Sequence, residues 1–160
     1  MKKQIEVIVM SDNHGNRDCL EYIKDKHKNA DYFFHCGDAV LPPYLLDGFA
    51  IVQGNNDPYG AFPDQRICEI GNHRILLIHG HKYMIYGSME HIIAKAKSLQ
   101  CDMVCFGHTH IYFNEVIHGI HLLNPGCIIR NRDGSGGSYM RIVFEEDKVR
   151  VERMSYGTLR

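Results

Sequence analysis

Residues 4–14 read QIEVIVMSDNH, an apolar run that stops at a Ser-Asp pair. A short run of β-branched and aliphatic residues bounded by polar ones predicts a buried strand over 4–10. Asn16 then provides a cap for a helix that carries Leu20 and Ile23 at helical spacing. A strand followed directly by a helix begins a β-α-β unit, which predicts an α/β fold.

The alternation continues along the first half of the chain, where strands are predicted over 31–36 and 49–52. The later predicted elements are a hairpin, a helix capped by Ser88 and several short strands, at about 65–70, 74–78, 89–99 (the helix), 103–106, 112–118, 120–123, 139–144 and 149–155. We therefore expect one domain over 1–160 with two β-sheets, mixed in the first half and mainly antiparallel in the second.

The composition excludes several classes of protein. The chain has 18 basic and 19 acidic residues, a net charge of −1 and 44% hydrophobic residues, which argues against disorder and against a dedicated nucleic-acid binder. No apolar run reaches the ~20 residues of a membrane span, and Glu6 interrupts the only run that resembles a signal peptide. We expect a cytoplasmic protein without a membrane partner.

Histidine is the residue type in surplus, with 11 in 160 residues and no tract that would indicate a tag. Imidazole is the commonest metal ligand in proteins, so this surplus indicates a metal site. The six cysteines contain no CxxC motif, and we expect them to be free and mostly buried. The Cys101 and Cys105 pair is a poor thiolate site because Cys105 lies in an apolar strand.

Five polar clusters each follow a predicted strand: Asp12-Asn13-His14, Gly37-Asp38, Gly54-Asn55-Asn56-Asp57, His79-Gly80-His81 and Gly107-His108-Thr109-His110. Ligands of α/β sheets bind at the carboxyl ends of the strands, so these clusters can meet at one place. Asp, Asn and His donors without cysteine suit Mn, Fe, Zn, Co or Ni, and seven donors suffice for two ions ~3.5–4 Å apart. One such cluster alone would be an ordinary turn, but five together favour a metal site.

In this order, the clusters resemble the signature of the calcineurin-like metallophosphoesterases. The contexts SDNHGN, HCGD, GNND, IHGH, FGHTH and NPG resemble the small bacterial and archaeal phosphodiesterases of the YfcE type. The resemblance implies an αββα sandwich, in which two packed mixed sheets are flanked by helices. It also implies hydrolysis of phosphate esters with two divalent metal ions, Mn²⁺ first and Ni²⁺, Co²⁺, Fe²⁺ or Zn²⁺ as alternatives.

The resemblance implies seven metal ligands divided between two ions: Asp12, His14 and His110 for one, Asn55, His79 and His108 for the other, and Asp38 as a bridge. A water molecule shared by the two ions would be deprotonated and attack phosphorus in line. The Asn55 amide would help to neutralise the phosphoryl oxygens. Asp57 would either orient a histidine or fix its loop.

One position departs from larger relatives, which carry a histidine where this chain has Asn56. That histidine is the proton donor to the leaving group, and an amide cannot replace it at pH 7. Esters with good leaving groups are therefore the expected substrates. His81 either takes over the proton transfer or is structural, and both interpretations stay open.

A contrasting hypothesis is a non-catalytic protein-binding scaffold, as in the retromer subunit of eukaryotes. A scaffold predicts erosion of the ligand set, whereas all seven positions here hold competent residues. The expected partner is a small phosphate-ester substrate; nucleic acid is disfavoured by the charge balance, and a homo-oligomer stays open. The weaker candidates are Arg130 and Arg132 for an anionic substrate, Tyr59, Tyr83 and Tyr86 for a pocket wall, and His27, His35, His73, His91, His118 and His121 as structural residues.

Overall fold

The apolar run over residues 5–10 forms the central strand of the first sheet in the computed structural model, which describes residues 4–84 and 87–156. The strands are β1 (Ile5–Met10), β2 (Tyr32–His35), β3 (Ala50–Ile51), β4 (Gln65–Ile70), β5 (His73–Ile78), β6 (Met103–Cys105), β7 (Phe113–Ile117), β8 (Ile120–Asn124), β9 (Gly137–Phe144) and β10 (Val149–Tyr156). The helices are α1 (Asp18–Lys26) and α2 (Glu90–Ser98), and a short 3-10 helix spans Pro43–Leu46.

Both helices begin beside the residues that were predicted to cap them. The Asn16 side-chain oxygen accepts a hydrogen bond from the Cys19 backbone N–H at 3.1 Å. The Ser88 hydroxyl accepts one from the Glu90 backbone N–H, also at 3.1 Å. Each bond satisfies a donor that has no partner within the helix, and this is how a cap stabilises a helix start.

Two mixed five-stranded sheets make up the fold, as the family resemblance implies. The pattern along the chain predicts a mainly antiparallel second half and misses the parallel strands at the centre of the second sheet. The first has the order β10-β9-β1-β2-β3, and the second has the order β4-β5-β6-β8-β7. Strands β5, β6 and β8 are parallel, whereas β4 and β7 pair antiparallel with their neighbours. The second half of the chain contributes to both sheets, because β9 returns to pair antiparallel with β1.

The alternation of side chains along β1 explains the layers. Val7 and Val9 face the cluster between the two sheets, whereas Ile8 and Met10 face a second cluster that includes residues of α1. All four side chains are fully buried. A strand buried on both faces has no polar face, which is why its sequence is almost continuously apolar. A third cluster packs α2 against the outer face of the second sheet.

Backbone hydrogen bonds continue past the ends of β1 and β2 into the loops that follow them. The N–H groups of Asp12, His14 and Gly15 donate to the carbonyls of Gly37, Asp38 and Ala39, at 2.7–3.1 Å. The loop after β6 joins the loop after β5 through Gly107 N–H and the His79 carbonyl, at 3.0 Å. Among the described residues, no helix is long and apolar enough to cross a membrane.

Candidate metal centre

Five of the predicted ligands have left-handed backbone conformations, which side chains other than glycine rarely adopt. They are Asp12 (φ 61°), His14 (φ 42°), Asp38 (φ 61°), His108 (φ 72°) and His110 (φ 59°). A left-handed residue costs about 1–2 kcal/mol, and such strain collects at functional sites. The strained backbone of these loops is therefore consistent with a functional site rather than with the stability of the loops themselves.

Asp12 lies at the centre of the cluster and is fully buried. One carboxylate oxygen, Oδ2, accepts hydrogen bonds from the Ser11 hydroxyl at 2.6 Å and from the His108 backbone N–H at 3.2 Å. The other, Oδ1, lies 3.3 Å from Nε2 of His110 and 3.6 Å from Nε2 of His14. Burial acts to raise the pKa of Asp12, but the His110 and His14 rings hold it far below its usual value. Asp12 is therefore a carboxylate rather than a carboxylic acid.

His79 is held in one orientation by the backbone. Its Nδ1 donates to the Cys36 carbonyl at 2.7 Å, so its Nε2 carries the free lone pair. That Nε2 lies 3.4 Å from Oδ2 of Asp38 and 4.0 Å from Oδ1 of Asp12. Burial acts to lower the pKa of His79, but the Asp38 and Asp12 carboxylates outweigh it and raise the pKa. Metal binding would therefore compete with a proton on this ring.

The geometry fits divalent metal ions. Two sets of three side chains hold ligand atoms within 4.8 Å of one another: Asp12, His14 and His110, and Asp12, Asp38 and His79. Asp12 Oδ1 and His79 Nε2 are both buried and have no hydrogen-bond partner among the described residues. A buried polar atom without a partner is costly, and a cation between these two atoms would satisfy both. Carboxylate and imidazole donors suit transition ions.

A cluster of three histidine rings lies beside this centre. The ring of His79 is centred 5.2 Å from that of His108 and 5.3 Å from that of His81. His81 Nδ1 is buried and has no hydrogen-bond partner within 4–84 and 87–156. Burial lowers the pKa of His81, and the His79 and His108 rings lower it further. His81 is therefore mainly neutral at pH 7.

The two asparagines after Gly54 are both exposed but differ in their hydrogen bonds. The side chain of Asn55, the predicted ligand, has no hydrogen-bond partner in the described part of the chain. Asn56 instead donates to Asp38 twice, from its backbone N–H to Oδ1 at 2.8 Å and from its side-chain amide to Oδ2 at 2.9 Å. The sequence has two adjacent asparagines and no signal for which of them forms hydrogen bonds with Asp38.

The carboxylate of Asp57 accepts hydrogen bonds from the backbone of two site loops. Its Oδ2 accepts hydrogen bonds from the N–H groups of Asp38 at 2.9 Å and Gly54 at 2.8 Å, and its Oδ1 accepts one from Val40 N–H at 2.9 Å. Of the two roles predicted for Asp57, these contacts match the fixing of a loop. Asp57 is therefore a positioning residue for Asp38.

A family model of the calcineurin-like phosphoesterase superfamily domain matches residues 5–147. The chain belongs to this superfamily. The family resemblance of the sequence motifs is thereby confirmed, and so is the predicted sandwich of two mixed sheets.

Relatives of this superfamily cover nearly the whole chain. The probable metallophosphoesterase YsnB of Bacillus subtilis is 35% identical over 92% of this chain and 89% of its own length. A predicted phosphoesterase from Streptococcus pneumoniae TIGR4 is 28% identical, with a TM-score of 0.89 over 97% of this chain and 91% of that chain. Zinc-complexed Vps29 from Entamoeba histolytica shares the fold at 21% identity, with a TM-score of 0.72 over 96% and 100% of the two chains.

His35 supports the metallophosphoesterase site, although the sequence indicated only a structural residue. It is fully buried; its Nε2 donates to Asn13 Oδ1 at 2.8 Å, and its Nδ1 accepts the Gly37 N–H at 3.0 Å. Burial lowers its pKa to about 4, so the neutral ring holds the turn before Asp38 at pH 7. Its position just before Gly37-Asp38 was the only available signal.

None of the remaining histidine candidates belongs to a set of possible metal ligands among the described residues. Contacts typical of structural residues are His27 with Tyr139, His73 with Asp102, and His121 with Asn114, at 2.6–2.7 Å, whereas His91 and His118 are exposed. Tyr59 is fully exposed, whereas Tyr83 packs against the cluster around α2 and lines a cavity together with His79 and His81. Tyr86 lies outside the described residues.

Val40 is a strained residue at the rim of the site, and its replacement by Asn is expected to stabilise the protein. Val40 has φ 53° and is 40% exposed, and a β-branched side chain is poorly suited to that conformation. Because Asn tolerates it, Val40→Asn should raise the free energy of unfolding by about 0.5–1 kcal/mol in urea titrations. Val116→Asn is the control: this exposed valine lies in β7, where extended backbone favours valine, so it should be neutral or destabilising. Equal effects of the two variants would contradict strain at Val40.

Proposed function

We propose that this chain forms one domain and is a metal-dependent phosphodiesterase that acts on small phosphate esters. The observation that carries the proposal is the convergence of Asp12 Oδ1 and His79 Nε2, both buried and without a hydrogen-bond partner in the described chain. Two carboxylates and four histidines surround these atoms, as superfamily membership would require. A purely structural role would leave the cost of these two atoms unexplained.

The residues that would hold two divalent ions are those that the sequence predicted: Asp12, His14, Asp38, Asn55, His79, His108 and His110. When bound, the ions would lower the pKa of a water molecule and neutralise charge on the phosphoryl oxygens, with Mn²⁺ as the first ion to test. Asn55, whose side chain has no hydrogen-bond partner among the described residues, is the predicted amide ligand. Asn56 is the alternative amide, because it already contacts Asp38.

The chain's own residues keep the ligands in place. The Cys36 carbonyl fixes the His79 ring so that Nε2 faces the two carboxylates. Asn56 and Asp57 hold Asp38 from its side chain and its backbone, respectively. Such fixed donors need little reorganisation during the reaction, which is how a preorganised site lowers a barrier.

Among the described residues, neither Asn56 nor His81 is well suited to protonate a poor leaving group. Asn56 has no acidic proton at pH 7, and the lowered pKa of His81 leaves that ring mainly neutral. His81 would therefore orient substrate through its buried Nδ1 rather than act as an acid. Esters with good leaving groups should be the better substrates.

A metal-supplemented hydrolysis screen tests the proposal. With Mn²⁺, bis-p-nitrophenyl phosphate is expected to be hydrolysed, and a dialkyl phosphate at least about 10²-fold more slowly, because general-acid catalysis contributes 10²–10⁴-fold where it is present. Rates should be followed by p-nitrophenolate absorbance and by phosphorus NMR. The metal-free protein is the control. Metal binding without hydrolysis of any phosphomonoester, phosphodiester or cyclic nucleotide, with Mn²⁺, Ni²⁺, Co²⁺ or Fe²⁺, would contradict the enzyme and favour the scaffold hypothesis.

A further inference from the structure

The segment that follows β8 is fastened to two of the ligand loops by buried side chains. Asn124 donates its amide to the Gly107 carbonyl at 3.1 Å and to the Thr109 hydroxyl at 3.0 Å. Cys127 donates its thiol to the Asp12 carbonyl at 3.2 Å. This segment is therefore fixed to the loops that carry Asp12 and the two histidines after β6.

The loop between β8 and β9 closes around the side chain of Asn131, which is only 2% exposed. The side-chain oxygen accepts the Cys127 N–H at 2.9 Å, and the amide donates to the Gly136 carbonyl at 2.8 Å and to the Ser138 hydroxyl at 2.9 Å. A loop tied to one buried amide at three points has a defined shape. The residues beside Asn131 are therefore presented in fixed positions.

Arg132 is one of these residues, and it is attached directly to a predicted ligand. Its backbone N–H donates to the His110 carbonyl at 2.8 Å, and its side chain is exposed. Its guanidinium forms no salt bridge with any residue in 4–84 or 87–156. His108 lies two residues before His110 in the same loop, so the backbone of Arg132 is attached to the loop that carries both of these predicted ligands.

An exposed guanidinium without an ion-pair partner is available to bind an anion. Two divalent ions would outweigh the carboxylates of Asp12 and Asp38, so the occupied site would already be positive. A guanidinium matches the oxygens of a phosphate in geometry and binds them by charge-assisted hydrogen bonds. A phosphate bound between Arg132 and the two ions would offer its negative oxygens to all three positive groups.

We propose that the Arg132 guanidinium binds an anionic oxygen of the substrate phosphate. The assignment deepens the proposed phosphoesterase function and rests on it for the reaction, although phosphate binding can be measured without turnover. Arg130 provides a matched comparison, because it is the same residue type in the same loop and is also exposed. Its backbone forms an isolated antiparallel β-bridge with Gly136, on the side of the loop that leads to β9.

The test compares full-length Arg132→Gln, Arg132→Lys and Arg130→Gln proteins loaded with Mn²⁺, with metal content measured in each. Titration calorimetry with inorganic phosphate should show affinity about 10-fold to 100-fold weaker for Arg132→Gln, intermediate for Arg132→Lys and within about 2-fold of the unsubstituted protein for Arg130→Gln. With bis-p-nitrophenyl phosphate, Arg132→Gln should raise KM more than it lowers kcat, because the contact exists in the ground state.

Equal phosphate affinities and equal KM values for Arg132→Gln and Arg130→Gln, at equal metal content, would overturn the assignment while leaving the enzyme intact. Loss of metal from Arg132→Gln and Arg132→Lys would also overturn it, because the residue would then act on the ligand loops. Phosphate binding that depends on Arg132, in a protein that hydrolyses no ester, would support the assignment and contradict the proposed function.

Discussion

Asp12→Asn is expected to lower the hydrolysis rate of bis-p-nitrophenyl phosphate about 10³-fold and to remove at least one metal ion per chain. Asp12 belongs to both sets of side chains that could hold an ion, and its Oδ1 accepts no hydrogen bond in the described chain. An amide keeps the volume of the side chain but loses the negative charge that binds a cation. A metal ion supplies several kcal/mol of transition-state stabilisation, and each 1.36 kcal/mol corresponds to tenfold in rate.

Metal content by plasma mass spectrometry and steady-state rates measure this effect, with circular dichroism to verify folding. Asp25→Asn is the matched control, because Asp25 is an exposed residue of α1 and should leave both quantities unchanged. If the Asp12→Asn protein bound two ions and kept its hydrolysis rate, the assignment of Asp12 as a metal ligand would be contradicted.

Gly54→Ala is expected to lower the same rate about 10²-fold through the position of Asp38. A Cβ built on Gly54 would come within 3.0 Å of the carboxylate and of the backbone nitrogen of Asp38, closer than real Cβ contacts. Asp57 holds both backbones, so neither can move away freely. A misplacement of 1 Å at a catalytic site can cost about 10²-fold, and overpacking typically costs ~1–3 kcal/mol of stability.

Gly136→Ala is the control for Gly54→Ala. The backbone φ of neither glycine is left-handed, and a Cβ at Gly136 would meet no atom within 4 Å. Rates, bound metal and urea unfolding should therefore change only for Gly54→Ala. If both variants kept full activity, the close approach of Gly54 to Asp38 would have no functional importance.

The parts of this molecule that could be predicted from sequence are those encoded in adjacent residues. The apolar run of β1 and its polar stop at Asp12 are contiguous, so both the strand and the site at its end were predictable. The same holds for β5 with His79 and for β6 with His108. Because parallel strands end at one edge, their order in the chain was enough to bring the loops together.

Contacts that depend on tertiary structure could not be predicted. The pairing of β9 with β1 fills a sheet edge that exists only after β1 has assembled. The choice between Asn55 and Asn56 depends on the direction of a turn, which two identical side chains do not encode. The buried contacts of His35 and Asn131 involve partners up to 22 residues away, which no local pattern specifies.

The hydrogen bonds that continue past β1 and β2 have a consequence for how such a site diversifies. Because Asp12, His14 and Gly15 pair with the segment from Gly37 to Ala39, the predicted ligands Asp12, His14 and Asp38 are part of the sheet ladder rather than of free loops. Insertions at the rim, for example near the fully exposed Tyr59, would leave that ladder unbroken. Substrate choice can therefore change in the rim loops while the reaction stays the same.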